Sequence, residues 1–343
     1  MNVGESNWPL RIDVVIVTYR CARLTIECLR SVEDERRRTP GLAIRAIVVD
    51  NASEDLPAIR QAVNLNSWSS WVVLIDAPRN GGFAYGNNRG IEYAYSSGPP
   101  AYVYLLNPDA QVRVGAISSL VRFLESHPNV GIAGSSFENA DGSDWPIAFR
   151  FPTLWSELIG GIGIGFVTRL LGRWEVARRM TRAPQPTDWI CGASMLIRPA
   201  VLSAVGGMDE NYFLYFEETD FCYRAMRAGF VTWYVPESCV MHIMGQSTSV
   251  TDVTDGPKRL PAYWFESRRR YFAMTFGVGN AIAIDIVALL AHSIGAMKRL
   301  LWPRRGRGIP FYGRDLLTHS VIFARNRAFP TVQCFHPPDY NWQ

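Results

Sequence analysis

Short apolar runs rich in β-branched residues alternate with helical spacings through the first part of the chain. Residues 12–17 (IDVVIV) form a nearly continuous β-branched run, the pattern of a strand covered on both faces. Leu24, Cys28 and Val32 then recur at helical spacing. Residues 44–49 read as a second strand, 56–63 as a helix, 71–75 as a third strand and 84–95 as a helix. Residues 101–106 give a fourth strand and 115–125 a further helix. This rhythm predicts an α/β fold with a mostly parallel central sheet flanked by helices. Such sheets bind ligands at the carboxyl ends of their strands, so the residues after each strand are the place to look.

The second half is less regular. Residues 135–187 are rich in Gly and Pro and include LIGGIGIGF at 158–166 and RWEVARRMTR at 173–182, predicting an excursion from the sheet that forms a mobile or lipid-facing loop. A strand is expected over 189–197, a short helix over 200–205 and a strand over 231–235. Between them, 217–228 has helical spacing, acids in its first turn and Gly229 as the stop. Near the end, 281–297 (AIAIDIVALLAHSIGAM) is apolar but interrupted by Asp285 and His292, and is followed by KRLLWPRR. No uninterrupted run reaches the ~20 apolar residues of a membrane span. The segment reads as a buried or membrane-surface helix. No signal peptide is expected from the opening MNVGESNWPLRID, which lacks a basic start and a long apolar stretch.

Composition narrows the class. With 343 residues, 48% hydrophobic and 19% charged, the chain has apolar mass for one large or two ordinary domains and is not disordered. Its six cysteines contain no CxxC pair, so neither a disulfide scaffold nor a cysteine zinc site is expected. The net charge of +4 is too small to argue for nucleic acid, and no aromatic-basic repeat supports that reading. Lys258 and Lys298 are the only lysines, which disfavours a lysine-dependent NTPase or Schiff-base enzyme.

Polar, turn-prone residues follow every early strand: Thr18-Tyr19-Arg20, Asp50-Asn51-Ala52-Ser53-Glu54-Asp55, Arg79-Asn80-Gly81-Gly82 and Asn107-Pro108-Asp109-Ala110. Asp109 can offer a carboxylate to a divalent cation, which needs few protein ligands when a diphosphate supplies other oxygens. An Asx-turn or helix cap would use the same residue. Glu217, Glu218 and Asp220 crowd one helical turn, which favours raised pKa values and general-base duty. A solvated acidic helix start is the alternative, and flanking Tyr215, Phe216 and Phe221 weigh against it. His242, just after a strand, has room to contact metal or phosphate, although a lone His is more often structural. The stretch NGGFAYGNNRG at 80–90 puts small residues at a helix start, where backbone can approach a phosphate or sugar. It is neither a dinucleotide fingerprint nor a P-loop.

In this order, VIVTY at 15–19, VVDNAS at 48–53, NGGFAYGNNRG at 80–90, LLNPD at 105–109, CGA at 191–193, GGMDE at 206–210, YFEETD at 215–220 and His242 resemble family 2 glycosyltransferases. Among these the likeness is greatest to bacterial rhamnosyltransferases of O-antigen and cell-wall synthesis, over about residues 10–275. The resemblance implies a GT-A fold: a Rossmann-like nucleotide-sugar-binding half (10–135), an acceptor-binding and catalytic half (136–257) joined without a break, and a C-terminal helical, Arg-rich extension (258–343). It implies inverting transfer of a sugar, best L-rhamnose from dTDP-rhamnose with a UDP-sugar as the other donor, to a lipid-linked saccharide or glycan acceptor. Apolar 281–296 followed by Arg-rich 298–307 is the pattern of an amphipathic anchor on anionic lipid, and it places this work in the cytoplasm at the inner face of the membrane.

Carried over by position, Asp50 and Asn51 look like base-recognising residues, with Thr18 and Tyr19 lining the pocket and Asn80, Gly82 and Asn87 along the donor. Asp109 matches the last Asp of the family's D-x-D, with Asn107 in place of the first, and His242 looks like a further metal contact for Mg²⁺ or Mn²⁺. The family's base is the second acid of a Glu-Asp pair, which here is Glu218 beside Glu217; Asp220 is the other choice, and Arg224 is placed to pair with it. Trp189, Tyr212 and Phe213 are the aromatics offered for stacking on the acceptor. A non-catalytic GT-A-like scaffold is the competing reading, supported by Glu at the expected Asp position and opposed by the retained acids and His242.

Overall fold

The computed structural model of the chain describes residues 9–139, 141–145, 147–163, 165–242, 258–301, 308–324 and 329–338. The first half alternates as its apolar pattern requires: β1 (Leu10–Thr18), α1 (Ala22–Arg38), β2 (Leu42–Asp50), α2 (Leu56–Leu65), β3 (Val72–Asp76), α3 (Gly82–Tyr95) and β4 (Tyr102–Leu106). There follow β5 (Ala110–Val112), α4 (Ala116–Ser126), β6 (Val130–Glu138), β7 (Asp144–Trp145) and β8 (Ile147–Phe149). Then come α5 (Leu154–Ile162), α6 (Gly165–Leu171), β9 (Ala177–Arg179), β10 (Gln185–Thr187), β11 (Ser194–Ile197), α7 (Pro199–Val205), α8 (Glu217–Arg227) and β12 (Val231–His242). Three helices end the chain, α9 (Ala262–Phe276), α10 (Val278–Leu301) and α11 (Tyr312–His319).

One curled sheet carries the molecule, in the order β10-β12-β6-β11-β4-β1-β2-β3, with β5 on β12 and β7 on β6. The pairs β4–β1, β1–β2, β2–β3 and β6–β12 are parallel, while β11 runs antiparallel between β4 and β6. The β-branched run of β1 is explained by burial on both sides. Ile12, Val14 and Ile16 enter the core beneath α1, α2 and α4, while Val15 faces the core beneath α3, α7 and α8. Asp13 is the polar exception, fully buried and held by both Arg45 nitrogens at 2.8 Å.

The later elements differ from the sequence expectation in instructive ways. The strand expected over 189–197 is confined to the four residues of β11, and that expected over 231–235 runs on to His242. The 135–187 stretch is no loop outside the sheet: it holds two helices, α5 and α6, and the antiparallel pair β8–β9, and it adds β7 and β10 to the main sheet. A boundary at 135 falls inside β6, so the sheet passes continuously from the first half into the second. The apolar segment extends to 24 residues in α10, long and apolar enough by length and composition to cross a membrane. Its inner face is nevertheless committed to the fold. Arg268 of α9, only 1% exposed, reaches Asp285 on α10 at 2.6 Å and Glu157 on α5 at 2.7 Å, tying the three helices together. Residues 302–307 of the Arg-rich extension, and 243–257 after His242, lie outside the described residues.

Candidate active site

Three loops at the carboxyl ends of β1, β2 and β3 are knitted by buried hydrogen bonds. Thr18, closing β1, donates its hydroxyl to Asp55 at 2.6 Å, and the Asn51 N–H donates to the Thr18 carbonyl at 2.9 Å. Asp50, at the end of β2, accepts from the Ser53 N–H and hydroxyl at 2.9 and 2.6 Å and from the Asp55 N–H at 3.1 Å. Asn51 reaches across to Asn80 and the Gly82 carbonyl, both at 3.0 Å. Asp50 and Asn51 therefore shape their loops with the atoms that face inward, while Tyr19 stays half-buried beneath the Arg20 guanidinium. Asn87 turns back to the Phe83 carbonyl within α3 at 2.9 Å.

Gly82 opens α3 at φ +87°, and a Cβ there would sit 1.8 Å from the Phe213 carbonyl oxygen, so only glycine fits. The Phe83 N–H donates to that same carbonyl at 2.9 Å, joining the third loop to the segment before α8. Tyr215 and Phe216 in that segment both adopt left-handed backbone (φ 70° and 69°), a strain of about 1–3 kcal/mol each that the surrounding packing must offset. The turn delivers Glu217 and Glu218 to the first turn of α8, where the helix dipole favours acids.

A second group gathers beyond β4. The Asp109 carboxylate lies 3.3 Å from His242 Nε2, and Asn107 Nδ2 is 3.5 Å from the same nitrogen. Register explains the meeting: β5 follows Asp109 directly and pairs antiparallel with the end of β12, setting Ala110 opposite His242. Asn107 Oδ1 and His242 Nδ1 are buried with no hydrogen-bond partner among the described residues. A carboxylate and an amide gathered within 3.5 Å of one imidazole nitrogen supply donor types that a divalent cation takes. Among the described residues no three His, Cys, Asp or Glu side chains cluster, so remaining ligands would come from elsewhere.

The loop 191–193 bridges the two groups. The Asn107 N–H donates to the Ala193 carbonyl at 3.2 Å, and the Gly192 N–H donates to Glu218. The Cys191 thiol is pushed up to about 12, by burial first and then by the charges of Glu218 and Asp109, which flank it. Burial likewise raises both acids of the pair. Glu218 is pushed up to about 7 with two backbone hydrogen bonds opposing, and Glu217, closed off from solvent, is held well above the usual carboxylate range by burial and by Glu218 beside it. Glu218 is the less enclosed residue of the pair, and its Oε2, like that of Glu217, is buried with no hydrogen-bond partner among the described residues. Asp220 points elsewhere: it is buried, accepts from Arg224 Nε at 2.7 Å, and so serves α8 packing.

The aromatic residues separate. Trp189 is half-buried and stacks on Phe149 at 4.1 Å, and Phe213 is 40% exposed beside Tyr263. Tyr212 is fully buried among Tyr271, Phe272 and Ile284, a core residue with no surface to offer a ligand. Two acids that the sequence reading singled out only as parts of their motifs, with no role of their own, prove to be supports. Asp55 pins Thr18 and the Cys21 N–H, and Asp209 pairs with buried Arg270 while accepting from the Asn211 and Gln333 N–H groups. Asp209 lies within GGMDE, but Arg270 has no sequence signal beyond its helix.

Carboxylates and an imidazole gather at the carboxyl edge of a curled, mostly parallel α/β sheet, where folds of this class bind their ligands. Residues 13–197 match the family model for Glycosyl transferase family 2; the chain belongs to that family and is a glycosyltransferase. It is 30% identical over 250 residues to the N-acetylglucosaminyl-diphospho-decaprenol L-rhamnosyltransferase of Mycobacterium tuberculosis, covering 69% of this chain and 77% of that protein. Its fold is similar to that of GalNAc-T7 solved with UDP, GalNAc and Mn²⁺ (TM-score 0.57, 15% identity, 92% of this chain and 59% of that one). It is also similar to the mannosyltransferase PcManGT of Pyrobaculum calidifontis, solved with GDP-Man and Mn²⁺ (TM-score 0.53, 14% identity, 91% and 79%).

Proposed function

We propose that the chain is a metal-dependent, inverting rhamnosyltransferase that takes L-rhamnose from dTDP-rhamnose and gives it to a lipid-linked saccharide at the inner face of the cell membrane. The observation that supports the transfer chemistry is that the 191–193 loop meets both groups: the Ala193 carbonyl accepts from the Asn107 N–H, beside Asp109 and His242, and the Gly192 N–H donates to Glu218. The M. tuberculosis relative, named for a rhamnosyl donor product and a polyprenyl-diphosphate acceptor, supports the choice of sugar and acceptor.

In this reading Tyr19 lines the base pocket on loops that the buried Thr18, Asp50 and Asn51 hold in shape, and Asn80 flanks the donor beside α3, whose start Gly82 and Asn87 support from within. Asp109 and His242, with Asn107 close by, would hold Mg²⁺ or Mn²⁺ against the diphosphate. A bound divalent cation supplies positive charge where negative charge grows on the leaving diphosphate. Glu218 takes the proton of the acceptor hydroxyl as its oxygen bonds to the anomeric carbon and the bond to the diphosphate breaks. Glu217, held protonated by burial, lets its neighbour carry the one negative charge of the pair. Trp189 and Phe213 are the aromatic surfaces left for the acceptor.

A panel of nucleotide sugars tests the proposal. With a polyprenyl-diphospho-N-acetylglucosamine acceptor, dTDP-rhamnose should release its nucleotide fastest, and only with Mg²⁺ or Mn²⁺ present. Faster turnover of a UDP- or GDP-sugar would move the donor assignment.

The pH profile is a separate prediction. A base must be ionised to act, so transfer should rise with pH and level off above about 7, where Glu218 is deprotonated. Stability should move the other way. Because the folded protein holds Glu218 above its ordinary value, the stabilisation is complete below the usual carboxylate range and is lost as pH climbs through about 7. Glu218→Gln should therefore flatten the fall in thermal midpoint across neutral pH; an unchanged slope would show that Glu218 is not the titrating group.

A further inference from the structure

Helix α10 is inside out for a helix on a protein surface. Its exposed face carries Ile286, Leu290, Ile294, Met297 and Leu301, at helical spacing and between 42% and 63% exposed. Its inner face carries Ala281, Ile284, Ala288, Ala291, Gly295 and the one acid of the helix, Asp285, which is buried against Arg268 and also accepts from the Val321 N–H at 2.8 Å.

The inner face is locked in place by close packing. A Cβ on Gly295 would meet the Gly161 carbonyl oxygen, so α5 and α10 cross at nearly backbone contact. The Lys298 ammonium reaches the Gly163 carbonyl, which sets the end of α10 beside the turn into α6. From there α6 adds Phe166 (76% exposed) and Leu170 (71%), and α5 adds Trp155. Arg169, Arg173, Lys298 and Arg299 stand among these apolar residues, and neither α6 nor α10 exposes an acid. In sequence, Trp302, Arg304, Arg305 and Arg307 follow directly.

We infer that α5, α6 and α10 form a docking face that seats the enzyme on an anionic bilayer, with α10 lying in the headgroup–acyl boundary. Apolar side chains set among cations, with the only acid of the helix turned inward, complement such a surface in both polarity and charge. A transmembrane course for α10 would strip Asp285 from both Arg268 and the Val321 N–H, so the helix stays on the fold and lends the membrane only its outer face. The inference rests on the lipid-linked acceptor proposed above, whose glycan would then be presented at the enzyme's own plane.

The test uses the full chain without donor or acceptor, so docking and transfer fail separately. Wild-type protein should co-sediment with phosphatidylglycerol–phosphatidylcholine vesicles and much less with phosphatidylcholine alone. Leu290→Glu with Met297→Glu should weaken that binding by at least about tenfold while transfer to a short-chain, water-soluble acceptor is retained. Arg169→Ser with Arg173→Ser should remove most of the preference for anionic vesicles. In wild-type protein, a photoreactive lipid should label peptides spanning 165–171 and 286–301, a readout that needs no folded variant. Absence of vesicle binding, labelling confined to other peptides, or a wild-type dimer that the Leu290/Met297 variant dissociates without any vesicle binding would each overturn the inference, the last by assigning the face to a second copy of the chain.

Discussion

Glu218→Gln should lower transfer by about 10²–10⁴-fold, the usual worth of a general base, while leaving donor binding intact. The amide keeps the size of the side chain and can still meet the Gly192 N–H through its oxygen, so the first turn of α8 should survive. Asp220→Asn is the contrast. Asp220 sits one turn from Arg224 in a buried pair, and Arg224 also donates to the Val205 and Gly207 carbonyls. Its loss should appear as a lower thermal midpoint with turnover per folded molecule largely kept. Full loss of transfer in folded Asp220→Asn, with Glu218→Gln active, would show the base to be misassigned.

Asp109→Ala should be as damaging by a different route. If its carboxylate and His242 hold the cation at the leaving diphosphate, the change removes several kcal/mol of transition-state stabilisation, about two to three orders of magnitude in rate. Chelation of wild-type enzyme by EDTA should produce the same loss, and excess Mn²⁺ should restore the wild type and not the variant. Asp109→Asn separates charge from packing, because it keeps the volume at this 4% exposed position. Activity that survives both chelation and Asp109→Ala would remove the cation from the account.

How much of this was legible in the sequence depended on whether the governing contact was local. The parallel half of the sheet was readable because both-face burial forces a β-branched run, as in β1, and because each crossover helix carries its own apolar stripe, as Leu24, Cys28 and Val32 do in α1. The brevity of β11 was not readable. Residues 189–193 are as apolar as a strand, yet they form the loop that meets Asn107 and Glu218 across long sequence distances. His242 was visible only as a lone histidine until the β5–β12 pairing put it beside Asp109.

The same holds for residues whose role is set by a distant partner. Glu218 and Asp220 are equivalent as letters; Arg224 separates them by capturing one, and the Gly192 N–H separates them further by meeting the other. Tyr212 reads as an aromatic near an acidic motif, open to stacking on the acceptor or to core packing, and is enclosed by α9 and α10, which lie far along the chain. Helix α10 shows the converse. Its apolar letters left a buried and a membrane-surface helix equally open, and the structure buries the face containing Asp285 while leaving Leu290 and Met297 outside.

The central claim is that one base, Glu218, activates the acceptor for direct displacement at the anomeric carbon beside the Asp109–His242 pair. The stereochemistry of the new linkage, read by NMR on the purified product, tests it most directly. A single displacement predicts that every product carries the anomeric configuration opposite to that of the donor. A product that retains the donor's configuration would contradict it.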